Sequence, residues 1–390
     1  MIDRHTLGIV PEKPHTAARG ADGRIYYEEM ITRQGFDGAF TYLYHLHPAP
    51  TSTRVRTSER GFAVPKVDRE ACEPLQRRLY DSGRVTGGSM LCYDRTPLFF
   101  NEHTTIWLAK PSVTDEVYFA NNDGDELWYV HEGKARLESS CGFLDVASGD
   151  YVLIPRSMVH RWHPSGELRL LGVEGRSGFE IPASYRNVIG QLRMDAPYTH
   201  RDFIRPSAPV ARPDEAVTGP SALLTKKRDA FSLHDLPRCP MDVIGWDGFV
   251  YPFAFPIERF QPKTGARHLP PTVHCTFVGS KVAIGSFVPR MLDYGKDAIP
   301  CPYPHSNVDC DEILLYLRGD FTSRRGVGPG AISFHPSGIT HGPHPGAYEG
   351  SIGRAYTDEL AVMIDTFAPL SATSQAANLE IAGYHNTWEP

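Results

Sequence analysis

Short apolar runs, rich in β-branched and aromatic residues, recur along the chain and are broken by Gly, Pro, Asp or Asn. Residues 126–130, 151–154, 168–173, 313–317 and 360–367 have this pattern and each is predicted to be a strand. Helical periodicity is scarce. Its best instance is 68–82, where Cys72, Leu75, Leu79 and Tyr80 fall near helical spacing. The pattern predicts an all-β protein with minor helix, as in sandwiches and barrels. Residues 202–235 are rich in Pro and charge with little periodicity, and read as a connector between two halves.

A repeat of spacings supports the two halves. In the first, Asp125 and Glu126 are followed by Gly133, and Gly149 leads to Pro155 and then His160. In the second, Asp311 and Glu312 are followed by Gly319, and Gly330 leads to Pro336 and then His341. The Glu–Gly, Gly–Pro and Pro–His intervals match in the two halves. The expected division is 1–235 and 236–390.

Composition adds turns and removes partners. Gly 35 and Pro 33 in 390 residues exceed the average share and show no period, so they punctuate strands and do not build a collagen-like repeat. A net charge of −6 argues against nucleic acid as a partner. No apolar stretch approaches the ~18 residues a membrane helix needs. The first ten residues are polar, unlike the apolar core of a secretory signal. Seven scattered Cys without a C-x-x-C pair fit a reducing, cytoplasmic setting.

The chemistry lies in the second half. His305, Glu312 and His341 have the residue types and spacings of the two motifs of the cupin superfamily, small double-stranded β-helix barrels. Asn307 stands where a further His ligand is common, which leaves two imidazoles and one carboxylate. That set keeps coordination positions open and suits non-haem Fe(II) working with O₂. In the first half Phe119 occupies the place of His305, so Glu126 and His160 make a poor site, and His131, His160 and His163 read as structural. The expected fold is therefore a bicupin with one degenerate barrel.

The chain resembles the homogentisate 1,2-dioxygenase family along its whole length. The resemblance rests on GIVPEKPH at 8–15, YYEEM at 26–30, Gly35 with Phe36, LYH at 43–45, DVIGW at 242–246 and Tyr251 with Pro252. It continues through the His305–Asn307–Glu312 motif, FHPSGITHGP at 334–343, Tyr384 with His385, and Trp388 to Pro390. It implies that His305, Glu312 and His341 bind Fe(II). It further implies that His335 is an acid/base residue or sits just behind the metal, and that His268 contacts a substrate hydroxyl. Tyr303, Asn307 and Phe321 would line the substrate pocket.

There are departures from the family. His305 and Glu312 are one residue further apart than in the family, Phe321 replaces a pocket Tyr, and the chain is shorter than typical members. The implied activity is insertion of both atoms of O₂ into a hydroxylated, homogentisate- or hydroquinone-like aromatic by a trimeric or hexameric enzyme. A Zn- or Mn-dependent cupin isomerase or hydrolase is the alternative, and a non-enzymatic binding cupin is a third reading.

Overall fold

The five expected strands are present in the computed structural model as Asp125–Glu132, Asp150–Ile154, Arg169–Gly175, Asp311–Arg318 and Leu360–Thr366. The described residues are 2–49, 51–209, 211, 219–321, 323, 324 and 326–388. These strands are buried along almost their whole length, so their sequences read as continuous apolar runs with no alternation. Trp107, Trp128, Trp162 and Trp246 are among the largest side chains fully enclosed by the packed sheets. Burying one large apolar side chain contributes roughly 1.5–3 kcal/mol.

The fold is an all-β bicupin. One seven-stranded sheet runs, in spatial order, Phe253–Pro256, Asp150–Ile154, Asp125–Glu132, Arg169–Gly175, Thr104–Ala109, Thr96–Phe100 and Ser371–Ala372. Its counterpart in the second barrel runs Cys275–Gly279, Val282–Phe287, Leu360–Thr366, Asp311–Arg318, Ala331–His335 and Arg78–Asp81. Each sheet thus receives a strand from the far end of the chain. Arg78–Asp81 pairs with Ala331–His335, and Ser371–Ala372 pairs with Thr96–Phe100. Val243–Gly248 and Phe253–Pro256 also pair with strands of the first half, so strand pairing runs across the 235/236 division.

The repeat is visible atom by atom. Gly133 and Gly319 close their strands with φ of 95° and 98°, and Gly149 and Gly330 open the next turn with φ of 96° and 85°. Backbone there suits residues without a Cβ. Asp125 accepts from the backbone N–H of Arg156 at 2.8 Å and of Phe179 at 3.0 Å. Asp311 accepts from Ser337 and Leu370, both at 2.7 Å. In each half the acceptor precedes the candidate Glu, and the first donor follows the motif Pro.

Two expectations are corrected. The helix over 68–82 is only Arg69–Cys72, capped by Asp68, which accepts from Glu70 N at 3.0 Å. Pro74 disfavours helical backbone at Glu73 and has no N–H of its own, so the chain leaves the helix there. Arg78–Asp81 then becomes a strand because its partner Ala331–His335 offers an open edge. The connector over 202–235 is likewise partly sheet. Ser221–Lys227 and Ala230–Leu236 form a hairpin that joins Tyr118–Asn121. Residues 210 and 212–218 of that stretch lie outside the described residues. Among the described residues, no helix is long and apolar enough to cross a membrane.

Candidate metal centre

His305 and His341 face each other across an isolated antiparallel bridge, each donating its backbone N–H to the other's carbonyl at 2.8 and 2.9 Å. The bridge places their imidazoles 4.4 Å apart, centroid to centroid. Glu312 reaches them from the strand Asp311–Arg318. One ligand atom from each of His305, Glu312 and His341 lies within 4.8 Å of the others.

The hydrogen bonds of the two imidazoles leave their Nε2 atoms toward the cluster. His341 Nδ1–H donates to the Ile339 carbonyl at 2.9 Å, and His305 Nδ1–H donates to the Tyr303 carbonyl at 3.1 Å. A carbonyl can only accept, so both rings carry their lone pair on Nε2. His341 Nε2 is buried without a hydrogen-bond partner, 3.7 Å from Glu312 Oε1. Burial pushes the His341 imidazole toward its neutral form. Burial also opposes charge on Glu312, but the hydrogen bond from His335 and the nearby imidazoles outweigh it and hold the carboxyl below the usual range. The imidazoles of His305 and His341, each with Nδ1 tied to a carbonyl, and the Glu312 carboxylate form a group that could hold a metal ion.

The first barrel answers the same geometry differently. Phe119 and His160 form the equivalent bridge, and His160 Nδ1–H donates to the Met158 carbonyl at 2.9 Å. Arg95 approaches from outside the repeat and puts Nη1 2.5 Å from Glu126 Oε1. Its guanidinium lies against the rings of Phe62, Phe119 and Trp128 at 4.2, 4.8 and 4.9 Å. Asn121 and Trp128 donate to the same carboxylate at 2.9 and 3.0 Å. A fixed organic cation thus fills the place where the second barrel gathers its candidate metal ligands. His160 is structural, as expected. His163 is tied to Glu138 at 2.8 Å, and His131 packs half-buried beside Glu132.

Asp123, Glu174 and Asp229 also converge, but Lys226 Nζ already sits among them at 2.8, 2.9 and 3.0 Å. That ammonium satisfies the cluster, which is a buried ion-pair network holding the Ser221–Lys227 hairpin to the barrel.

A cavity of about 80 Å³ lies over His305 and Glu312. It exists because the sheet that closes the first barrel has little counterpart here. In its place are the His305–His341 bridge and a two-residue ladder between Arg290–Met291 and Tyr356–Thr357. Leu269, Pro271, Phe287, Leu314, Phe321 and Ala361 make its wall largely apolar, while His268, His274, Arg290, Arg324 and Glu359 supply polar groups.

The expected residues fall into two groups. His268 and Phe321 line the cavity, with His268 Nδ1 3.3 Å from Asp293 and the Phe321 ring 4.7 Å from Tyr316. His335 is fully buried behind Glu312, its Nδ1 2.6 Å from Glu312 Oε1, and it does not reach the cavity wall. Burial drives its pKa down to about 3 despite that carboxylate, so it is a neutral donor that orients Glu312. Tyr303 is half exposed, with its ring edge-on to His268 at 5.5 Å, and Asn307 accepts from Gly338 N at 2.7 Å through its carbonyl. Neither Tyr303 nor Asn307 is part of the wall.

Sequence reasoning missed His274, Arg290, Arg324 and Glu359, which no motif marks. It also missed Asp365, which stands opposite Glu312 in the sheet and is pushed toward its neutral form by burial and by the Glu312 charge.

Comparison with known proteins follows this geometry. The N-terminal family profile of homogentisate 1,2-dioxygenase matches residues 100–257. A Saccharolobus solfataricus protein named "Putative dioxygenase" is 33% identical over 391 residues, covering 100% of this chain and 99% of its own. The homogentisate 1,2-dioxygenase of Bradyrhizobium diazoefficiens is 27% identical, with 70% of this chain and 62% of that protein aligned. The match therefore spans less than two thirds of that relative. A Rhodopseudomonas palustris homogentisate 1,2-dioxygenase is 26% identical, with 96% of this chain and 84% of its own length aligned. Among solved structures, a cupin 2 conserved barrel domain protein from Leptotrichia buccalis aligns with 76% of this chain and 98% of its own, at a TM-score of 0.37 and 9% identity.

Proposed function

The chain belongs to the homogentisate 1,2-dioxygenase family of aromatic ring-cleaving oxidoreductases, and we propose that it uses Fe(II) to open a homogentisate- or hydroquinone-like ring with both atoms of O₂. The observation that carries this reading is the convergence of His305, Glu312 and His341 at one end of a largely apolar cavity.

When bound, Fe(II) supplies open positions for a ring oxygen and for O₂ and the electron transfer between them. The protein's own part is positioning, charge and proton handling. His335 fixes the Glu312 carboxylate through its Nδ1–H, and backbone carbonyls fix the tautomers of His305 and His341. His268 donates Nδ1–H to Asp293, which leaves Nε2 to take a proton from a ring hydroxyl. Arg324 donates to the Gly342 carbonyl, its guanidinium lies within electrostatic reach of Glu312, and it stabilises negative charge left on the ring oxygen. Leu314, Phe321 and Phe287 pack on the ring and keep bulk water from reduced oxygen. Phe321 offers no hydroxyl to a ring side group, which favours a substrate that differs from homogentisate in that group.

Oxygen uptake by ferrous-loaded protein with a panel of para-dihydroxylated aromatics tests this reading, with products followed by mass. A ring-opened product heavier by two oxygen atoms is expected. Turnover without O₂ by the Zn- or Mn-loaded form would replace it with isomerase or hydrolase chemistry. The same reading includes a homo-oligomer, trimer or hexamer, which light scattering would detect.

A further inference from the structure

The cavity has a second polar end. Tyr316 lies opposite Ala361 and four residues along its strand from Glu312, roughly 13 Å at the usual pitch of about 3.3 Å per residue. Glu359 lies two residues beyond Ala361. There Arg290 Nη2 donates to Glu359 Oε1 at 2.6 Å, and Nη1 donates to the Val288 carbonyl at 3.2 Å. His274 ends the turn Pro271–His274 beside them, its ring 4.7 Å from Phe287. His274 is only 6% exposed, lines the cavity, and its Nδ1 is buried without a hydrogen-bond partner.

An unpartnered buried ring nitrogen is desolvated without a compensating hydrogen bond, which a ligand group would supply. The Arg290 charge is already matched by Glu359, so this end offers donors and acceptors with no excess charge. A bare dihydroxylated ring held at the metal ligands is too short to reach it.

We infer that this end of the cavity is a substrate-recognition subsite, where His274 and the Arg290–Glu359 pair bind the neutral, hydroxyl-type tip of a substituent carried by the aromatic ring. The inference rests on the reading that the ring sits at His305, Glu312 and His341. The substrate class becomes a hydroxylated aromatic with a polar arm several bonds long. His274 and Glu359 are specificity determinants that touch the arm and take no part in ring opening.

Anaerobic calorimetry on the ferrous protein tests this with propylhydroquinone and 3-(2,5-dihydroxyphenyl)propan-1-ol, which differ by one terminal hydroxyl. The alcohol should bind about five- to tenfold tighter to the unmodified protein, the effect of one hydrogen bond. His274→Phe and Glu359→Gln should each remove that preference while leaving iron content unchanged. Glu359→Gln keeps the side-chain volume and decides the matter if His274→Phe does not fold. Equal binding of both compounds, or a preference retained in the variants, overturns the subsite alone. Binding of neither compound overturns the placement of the ring at the metal and the subsite with it.

Discussion

Arg95 meets Glu126 at 2.5 Å in one barrel, at the repeat position where Glu312 of the other barrel gathers the imidazoles of His305 and His341. Both sites present a buried carboxylate to a cation. One cation is built into the chain, and on the proposed reading the other is bound from solution. The degenerate barrel therefore keeps its electrostatic balance without a metal.

Removing Arg95 should leave Glu126 buried and uncompensated. Arg95→Met is expected to destabilise the fold by about 3–5 kcal/mol, the usual cost of breaking one side of a buried pair. Denaturant unfolding would measure it, and iron bound at the second barrel should not change.

Glu126 also sets an acid limit. Burial opposes its charge, but Arg95 and its other hydrogen-bond donors outweigh that and depress its pKa to about 2. A depressed carboxyl stabilises the fold above its unfolded pKa and loses that contribution as pH falls through the folded value. Stability should fall between about pH 4.5 and pH 2, and more steeply than in Glu126→Gln. Equal slopes in urea melts across that window would show that Glu126 is not responsible.

His45 works in the opposite direction. Burial lowers its pKa, yet Asp242 at 2.6 Å and Glu29 at 3.0 Å outweigh burial and raise it to about 9. A raised histidine gives its full stabilisation below its unfolded pKa near 6.5 and loses it as pH rises through about 9. Asp242→Asn should therefore cost more stability at pH 6 than at pH 9.5, as thermal melts at the two values would register.

Metal analysis should find one iron per chain, because Lys226 already neutralises the Asp123–Glu174–Asp229 cluster. Glu312→Gln and His341→Ala should each abolish both iron loading and oxygen uptake. Two irons per chain, or full activity in either variant, would contradict the assignment of the ligands.

His335→Gln should weaken iron binding by about 10- to 100-fold in chelator competition, the usual effect of losing a group that orients a ligand. Added iron should restore much of the lost activity, since His335 does not reach the cavity. Failure of excess iron to restore any activity would mean that His335 acts on the substrate.

The sequence alone determined the strands, the two-fold repeat and the three side chains, His305, Glu312 and His341, that cluster in the second barrel. Those features are written in local spacing: apolar runs long enough for a buried strand, glycines where the turns need φ near 95°, and a Glu one residue after the Asp that anchors each turn. Tertiary structure decided what local spacing does not encode. Residues 78–81 became a strand because a sheet edge waited for them. Arg95 filled one barrel from outside the repeat, and His274, Arg290, Arg324 and Glu359 met around one cavity from different segments. The physical reason is that side chains far apart in sequence meet only when the sheets close. Which of them share a wall depends on strand order and register, which a linear pattern of apolar and polar positions does not carry.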